Sequence, residues 1–365
     1  MNNLKITIIW ESQVWGGVDN YLFYLLQNWP NKNDEFSIIS NSQNKGLENL
    51  KSIMPDKIKI KYFYIDHIFR IEVNNFYTDA LNLFFTPLNF LINYFRFKRF
   101  YRKINLKSDI LISQCGGYPG TFFTQAALIA SYNLSVKFRS MVIHHAPKKP
   151  RLFLQNFSKL VDRLLAKILN SVIFVSDSTR LHTEFKTYLL ENENDIHPVV
   201  IRNGIEIENI GNNNSFDYGK HLSIDTTKIN FGILGRVERE KGHEDLINGI
   251  NALPDSIKEK IRLYVIGKGS YQIELMSLVK RLSLEKNVSF TGYIKGNSID
   301  IIQKLDVIVS ASRNFEGFGL SIEEALLMKK PFISTDVGAL KYFKNDSFGI
   351  VIKPGHGEYF KNAII

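Results

Sequence analysis

The chain has 365 residues, 44% hydrophobic and 22% charged, which is too long for one ordinary core and apolar enough to bury two. This composition excludes collagen-like and disordered classes, and the single cysteine, Cys115, excludes an intramolecular disulfide and favours a reducing compartment. The net charge of +10 is uneven, with 24 Lys+Arg against 16 Asp+Glu in residues 1–200 and 22 against 20 in residues 201–365. Such an excess fits nucleic acid, an anionic membrane or solubility alone.

Residues 1–10 are no signal peptide, because their short apolar run closes at Glu11. No stretch reaches the ~18 uninterrupted apolar residues of a spanning helix, so a soluble or peripheral protein is expected. Ile6–Trp10 is rich in β-branched residues and is followed by Gly16-Gly17 and the amphipathic Asn20–Trp29, which predicts a strand, a glycine loop and a helix. In Leu83–Lys107, Arg96, Lys98, Arg99, Arg102, Lys103 and Lys107 interleave with aromatic residues, and no acid occurs before Asp109. This predicts a basic amphipathic helix attracted to an anionic membrane surface; an ordinary packed helix with a solvated basic face is the plainer reading. Nucleic acid is discounted, since no nucleic-acid module accompanies the segment.

Asp109–Ser113, Ser140–Ile143 and Ser171–Val175 predict further buried strands, with helices at Gly120–Tyr132 and Asn156–Leu169. Glu206–Lys228 has little apolar periodicity and separates a first domain, residues 1–205, from a second, residues 206–365. There the strands are Ile229–Leu234, Ile261–Ile266, Asn287–Phe290, Val307–Ser310 and Pro331–Ser334, and the helices His243–Ala252, Gln272–Leu282 and Leu320–Met328. Alternation of β and α through both halves predicts parallel sheets flanked by helices.

Candidate chemistry lies where strands give way to helices. Gly235 permits close backbone approach after one strand, and Arg236 and Lys241 follow in the loop, suited to phosphate oxygens at a sheet's carboxyl edge; two solvated loop cations are the plainer reading. After Val307–Ser310 come Glu316-Gly317-Phe318-Gly319 and a helix carrying Glu324. Gly317 and Gly319 permit a turn whose N–H groups, with the helix N-terminus, form an anion site. An acid on that loop suits sugar hydroxyls and Glu324 a ribose diol, with Glu316 as a mere complement to the helix dipole the alternative; Glu323 only complements that dipole. His144 and His145 follow the strand Ser140–Ile143, where a purely structural histidine is the alternative. The chain has no Asp-x-Asp and no His, Cys or carboxylate cluster at metal-ligand spacing, so no metal is expected.

The ordered set GRVEREKG, VIGKGS, VSFTGYI, SRNFEGFGLSIEEAL and STDVGAL resembles glycosyltransferase family 4. The first half agrees through Gly16-Gly17, GGYPG at 116–120, IHH at 143–145, VSDSTR at 175–180 and IRNGIE at 201–206, so the resemblance covers nearly the whole chain. It implies the α/β GT-B fold: two Rossmann-like domains with parallel sheets facing a central cleft, the first on the acceptor side and the second binding the nucleotide sugar. The implied activity is transfer of a sugar from a UDP-, GDP- or ADP-sugar with retention of configuration, without metal or other cofactor.

On this resemblance Glu316 serves the donor sugar, Glu324 the ribose, and His144 catalysis, with His145 as the alternate. The implied donor site adds Gly16, Gly17, Arg236, Lys241, Gly267, Gly269, Tyr293, Ile294, Gly317, Phe318, Gly319 and Leu320. The expected acceptor is a glycan, lipid-linked, in synthesis of a bacterial-type surface polysaccharide such as lipopolysaccharide or capsule. The expected place is the cytoplasm, peripheral on the inner face of the cell membrane through Arg96, Lys98, Arg99, Arg102 and Lys103. Lys268 stands where relatives often carry an acid. Relatives continue through several helices after GIVIKPG at 349–355, so the second domain is expected to be short at its end. A nucleotide-sugar epimerase of the same fold and a non-catalytic sugar-nucleotide-binding protein are the alternatives.

Overall fold

The computed structural model describes residues 3–12, 17–54, 58–66, 84–119, 122–191, 196–205, 224–294, 298–344 and 347–365. Gly16, Leu83, Gly120 and most of the expected connection at 206–228 lie outside these residues. Contacts divide the chain into two compact units, Met1–Asn203 and Gly204–Ile365.

The first unit holds a parallel seven-stranded sheet in the order β3-β2-β1-β4-β5-β6-β7. Its strands are β1 (Lys5–Trp10), β2 (Glu35–Ser40), β3 (Lys59–Tyr64), β4 (Ile110–Cys115), β5 (Phe138–Ile143), β6 (Ser171–Phe174) and β7 (His197–Val200). Ile8 of β1 sits opposite Ile38 on one side and Ile112 on the other. Alternation along the strands feeds two cores: Ile6, Ile8 and Trp10 pack with Leu22 and Leu26, whereas Ile9 joins Phe97, Leu111 and Phe123 on the opposite face. A sheet buried on both faces requires helices on both sides. These are α1 (Gly17–Gln27), α2 (Lys45–Ile53), α3 (Thr86–Lys103), α4 (Phe123–Ala130), α5 (Gln155–Ala166) and α6 (Asp177–Lys186).

Helix α3 starts with Pro87 in its first turn, where a missing N–H costs nothing. It buries Phe90, Asn93, Phe97 and Tyr101 at helical spacing, and the Tyr101 hydroxyl donates to the Ala127 carbonyl at 3.0 Å. Because it connects β3 to β4 in a parallel sheet, it begins at the sheet's carboxyl edge and ends at its amino edge.

The second unit repeats the plan with six parallel strands in the order β10-β9-β8-β11-β12-β13. They are β8 (Ile229–Leu234), β9 (Ile261–Ile266), β10 (Val288–Gly292), β11 (Val307–Ser310), β12 (Phe332–Thr335) and β13 (Gly349–Ile352). The helices are α7 (His243–Asn251), α8 (Asp255–Lys258), α9 (Gln272–Arg281), α10 (Ser298–Gln303), α11 (Leu320–Leu327) and α12 (Gly357–Ile364). Strand β9 sends Leu263 and Val265 to one core and Tyr264 and Ile266 to the other. In both sheets the winding direction reverses at one strand pair, β1/β4 and β8/β11, and open sheets of this kind bind ligands at the carboxyl ends of such pairs.

Candidate functional site

In the second unit, the loops that leave β8 and β11 meet at the carboxyl edge. Lys241 Nζ lies 2.7 Å from Glu316 Oε2, although 75 residues separate them, and the Ser312 hydroxyl donates to the same oxygen at 2.9 Å. Lys241 and Glu316 keep 20% and 19% of their side-chain surface, so the pair is sheltered but reachable. Two close approaches hold the loops together. Gly242 turns with φ +70° and a Cβ there would meet the Ala311 carbonyl oxygen at 1.8 Å; at Gly338, φ +55°, it would meet that of Glu316 at 2.1 Å. The Ala339 N–H also donates to the Glu316 carbonyl at 2.9 Å.

Arg313 braces the arrangement from behind. Its Nε and Nη2 form a bidentate pair with Asp245 at 2.7 and 2.6 Å, and Nη2 also reaches Glu244 Oε2 at 3.1 Å. The hydrogen bond with Asp245, foremost, raises the Arg313 pKa still further. Tyr271 donates to Glu244 at 2.9 Å, which ties the first turn of α9 to α7 and to the loop after β11.

Glu324 sits on α11 and is 2% exposed, accepting a hydrogen bond from Ser298 at 2.7 Å. Burial pushes its pKa up to about 7, against the smaller opposing effect of Ser298. Gly319 caps α11 in the left-handed region at φ +91°, with Gly317 and Phe318 buried beside it and Leu320 as the helix's first residue. Arg236 is exposed on the loop after β8. Gly267 and Gly269 press on that loop: a Cβ at either would meet the carbonyl oxygen of Gly235 at 1.8 Å or of Val237 at 2.1 Å. Tyr293 is 39% exposed after β10, whereas Ile294 is 7% exposed and its side chain belongs to the core.

In the first unit, His144 directly follows β5 at the carboxyl edge. Its Nε2 lies 2.7 Å from Gln114 Oε1 at the end of β4, and since an amide oxygen accepts, the ring donates from Nε2. Tyr21 of α1 meets the imidazole edge-on, with ring centroids 4.8 Å apart. Burial pulls the His144 pKa down to about 3, so the ring is neutral near pH 7. His145 is half-buried with Nδ1 3.3 Å from the Ala146 carbonyl oxygen. Gly17 begins α1 and is exposed.

Sequence reasoning named His144, Lys241, Glu316 and Glu324 but not their supports, Gln114, Tyr21, Ser312, Ser298, Asp245 and Gly338. Each support comes from a different strand–helix junction. The one available signal was adjacency: Ser312 and Gly338 lie inside the quoted motifs.

Residues 216–365 match the family described as Glycosyl transferases group 1. An uncharacterized glycosyltransferase of Methanocaldococcus jannaschii is 27% identical over 57% of this chain and 52% of its own length. The N-acetylgalactosamine-N,N'-diacetylbacillosaminyl-diphospho-undecaprenol 4-alpha-N-acetylgalactosaminyltransferase of Campylobacter jejuni is 31% identical over 42% of this chain and 40% of its own length. The chain thus spans about half the length, or less, of these curated relatives. Among solved structures, Anabaena HepE in complex with UDP and glucose superposes with a TM-score of 0.68 at 18% identity, covering 99% of this chain and 89% of that one. The fold is the α/β GT-B arrangement of two parallel sheets, and the similarity to group 1 glycosyltransferases falls on residues 216–365, within the second unit.

Proposed function

We propose that this chain is a retaining glycosyltransferase of family 4 type that moves a sugar from a nucleotide-sugar donor to a lipid-linked glycan acceptor, in synthesis of a surface polysaccharide. The observation that carries the reading is the Lys241–Glu316 pair with Ser312, set at the carboxyl ends of β8 and β11 within the matched residues 216–365. Departure of the donor nucleotide develops negative charge on its diphosphate. Lys241, Arg236 and the N–H groups of Gly317–Leu320 are the groups that would stabilise it, each charged hydrogen bond contributing about 1.5–3 kcal/mol.

Glu316, fixed by Ser312, would accept from donor-sugar hydroxyls, and Glu324 from the ribose diol. Gly267, Gly269 and the backbone of Tyr293-Ile294 would border the nucleotide. His144 would act in the transfer as a neutral ring oriented by Gln114. A uridine nucleotide is favoured by the UDP bound in Anabaena HepE, and a lipid-linked acceptor by the undecaprenol diphosphate in the Campylobacter enzyme's name. Peripheral attachment to the inner face of the membrane belongs to the same reading; of the α3 cations expected to serve it, Arg99, Arg102 and Lys103 are exposed. Arg96 and Lys98 contribute less, since Arg96 donates to the Asp66 carbonyl and Lys98 lies over the Tyr94 ring at 5.8 Å.

The test is a thermal-shift screen of UDP-, GDP- and ADP-sugars, followed by product analysis with the stabilising donor and lipid-linked acceptors. One donor should raise the melting temperature and yield an α-configured product from an α-configured donor. Turnover should survive excess chelator, because the protein's own cations face the diphosphate. Loss of activity in chelator with recovery in manganese, or conversion of the donor without an acceptor, would overturn the proposal.

A further inference from the structure

The first unit exposes large apolar side chains at one corner. Helix α3 buries Phe90 and Phe97, but Phe84, Phe85, Leu88 and Leu91 around its start are 69%, 42%, 51% and 49% exposed. In the segment before α5, Leu152 and Phe153 are 85% and 59% exposed. The two groups belong together: Phe90 of α3 meets Phe157 of α5 at 5.4 Å, and both rings pack on Phe122. Leu88 and Leu91 flank Phe90, and Phe153 lies one helical turn before Phe157.

Both groups also sit at the sheet's carboxyl edge, because α3 enters from that edge and Leu152-Phe153 follow β5 and His144. The C-terminal end of α3 is at the opposite edge. There Lys107 lines a cavity of ≈ 490 Å³ with Lys5 at the start of β1, Glu35 at the start of β2, and Lys59 and Lys61 of β3. The end of the densest basic block of the sequence, Arg102–Lys107, therefore lies away from His144 within this unit, and the apolar corner lies on the same edge as His144.

The charge around the corner decides what covers it. Residues 84–95 and 144–161, which carry the two groups, hold Lys148, Lys149, Arg151 and Lys159 and no acid. Lys148, Lys149 and Arg151, beside Leu152, are exposed. A second copy would bring the same cationic rim against it, whereas an anionic bilayer offers hydrocarbon ringed by phosphates.

We propose that this corner, Phe84, Phe85, Leu88, Leu91, Leu152 and Phe153, dips into an anionic bilayer with Lys148, Lys149 and Arg151 at the headgroups. The His144 edge of the unit then faces the membrane, and a lipid-linked acceptor keeps its chain in the bilayer while its glycan reaches that edge. This last step rests on the glycosyltransferase reading; the membrane contact itself does not.

The experiment is flotation of the full chain with vesicles of phosphatidylcholine alone and with one-quarter phosphatidylglycerol, at low and high salt. The wild type should float with anionic vesicles and retain a salt-resistant fraction. Leu152→Ser with Phe153→Ser, and separately Leu88→Ser with Leu91→Ser, should lower the salt-resistant partition into vesicles ~100-fold or more, the loss expected from removing two apolar side chains from hydrocarbon. Replacing Lys148, Lys149 and Arg151 by Gln should instead remove recruitment at low salt. Melting curves and UDP-induced thermal shifts of the serine variants should match the wild type, since these side chains are exposed.

Wild-type flotation by the serine variants would overturn the proposal. So would a vesicle-independent dimer that those variants abolish, or equal flotation with neutral and anionic vesicles. Flotation as expected without any nucleotide-sugar binding would sink the glycosyltransferase reading and leave the membrane contact standing.

Discussion

Glu324 combines a polar task with an apolar setting. A carboxyl 2% exposed, with its pKa near 7 against an ordinary 4.5, holds a proton in the folded state that the unfolded chain has already lost. Between about 4.5 and about 7, stability therefore falls as pH rises, and Glu324→Gln should flatten that part of the profile in urea melts at graded pH. Nucleotide binding should move the other way. A ribose diol donates to the carboxylate and favours its charged form, so UDP affinity should rise through pH 7, with proton release between pH 6 and 8 in calorimetry. A pH-independent affinity would remove Glu324 from the ribose. The Lys241–Glu316 pair gives a second check: Glu316→Gln and Lys241→Met should each lower turnover ~10- to 100-fold with little change in melting temperature, the range for one charged hydrogen bond. Wild-type kinetics in both would move the site elsewhere. Residue identity was legible in these cases because the chemistry needs particular side chains at strand ends. The burial of Glu324, its contact with Ser298 and the neutrality of His144 were not, since each depends on neighbours 26 or 30 residues away.

At the level of elements, sequence pattern found most of the apolar strands but passed over β2, whose Phe36, Ile38 and Ile39 are buried, and the elements without an apolar signal. β1, β8, β9 and β11 read as strands because both faces are greasy. Strand β3, KIKYFY, carries two exposed lysines on an edge strand, a charged guard against pairing with other chains, and so loses the apolar signal. Helix α6 buries Ser178, Thr179 and Thr183 and is capped by Ser176, which accepts from the Thr179 N–H at 3.1 Å; without an apolar stripe, its period is invisible. The glycines of VIGKGS were read as room for a nucleotide, and the structure adds a packing reason. The backbone of Gly269 lies on Val237, whose carbonyl accepts from the Tyr271 N–H at 3.0 Å. Gly269→Ala should thus force the β8 and β9 loops apart and destabilise the protein by ~1–3 kcal/mol, as overpacking does. An alanine variant with wild-type stability in chemical denaturation would show that the loop yields freely.

Over the whole molecule, charge and chemistry are divided. Residues 1–200 hold a surplus of Lys+Arg, 24 against 16 acids, and residues 201–365 are near balance at 22 against 20, yet the paired ionic groups of the candidate donor site lie in the second part. These two kinds of electrostatics respond differently to salt. Lys148, Lys149 and Arg151 are exposed, so their attraction to a charged surface fades as the Debye length drops to ~3 Å at 1 M. Lys241 and Glu316 are four-fifths covered and face each other at 2.7 Å, where mobile ions screen little. Raising salt should therefore release the electrostatically held fraction from anionic vesicles well before it weakens UDP binding, and changing Lys148, Lys149 and Arg151 to Gln should remove that fraction without altering the UDP-induced thermal shift. Parallel loss of both properties along one salt titration would mean that the two surfaces are not separate. The surplus charge of the first part would then have to be traced to nucleotide binding itself.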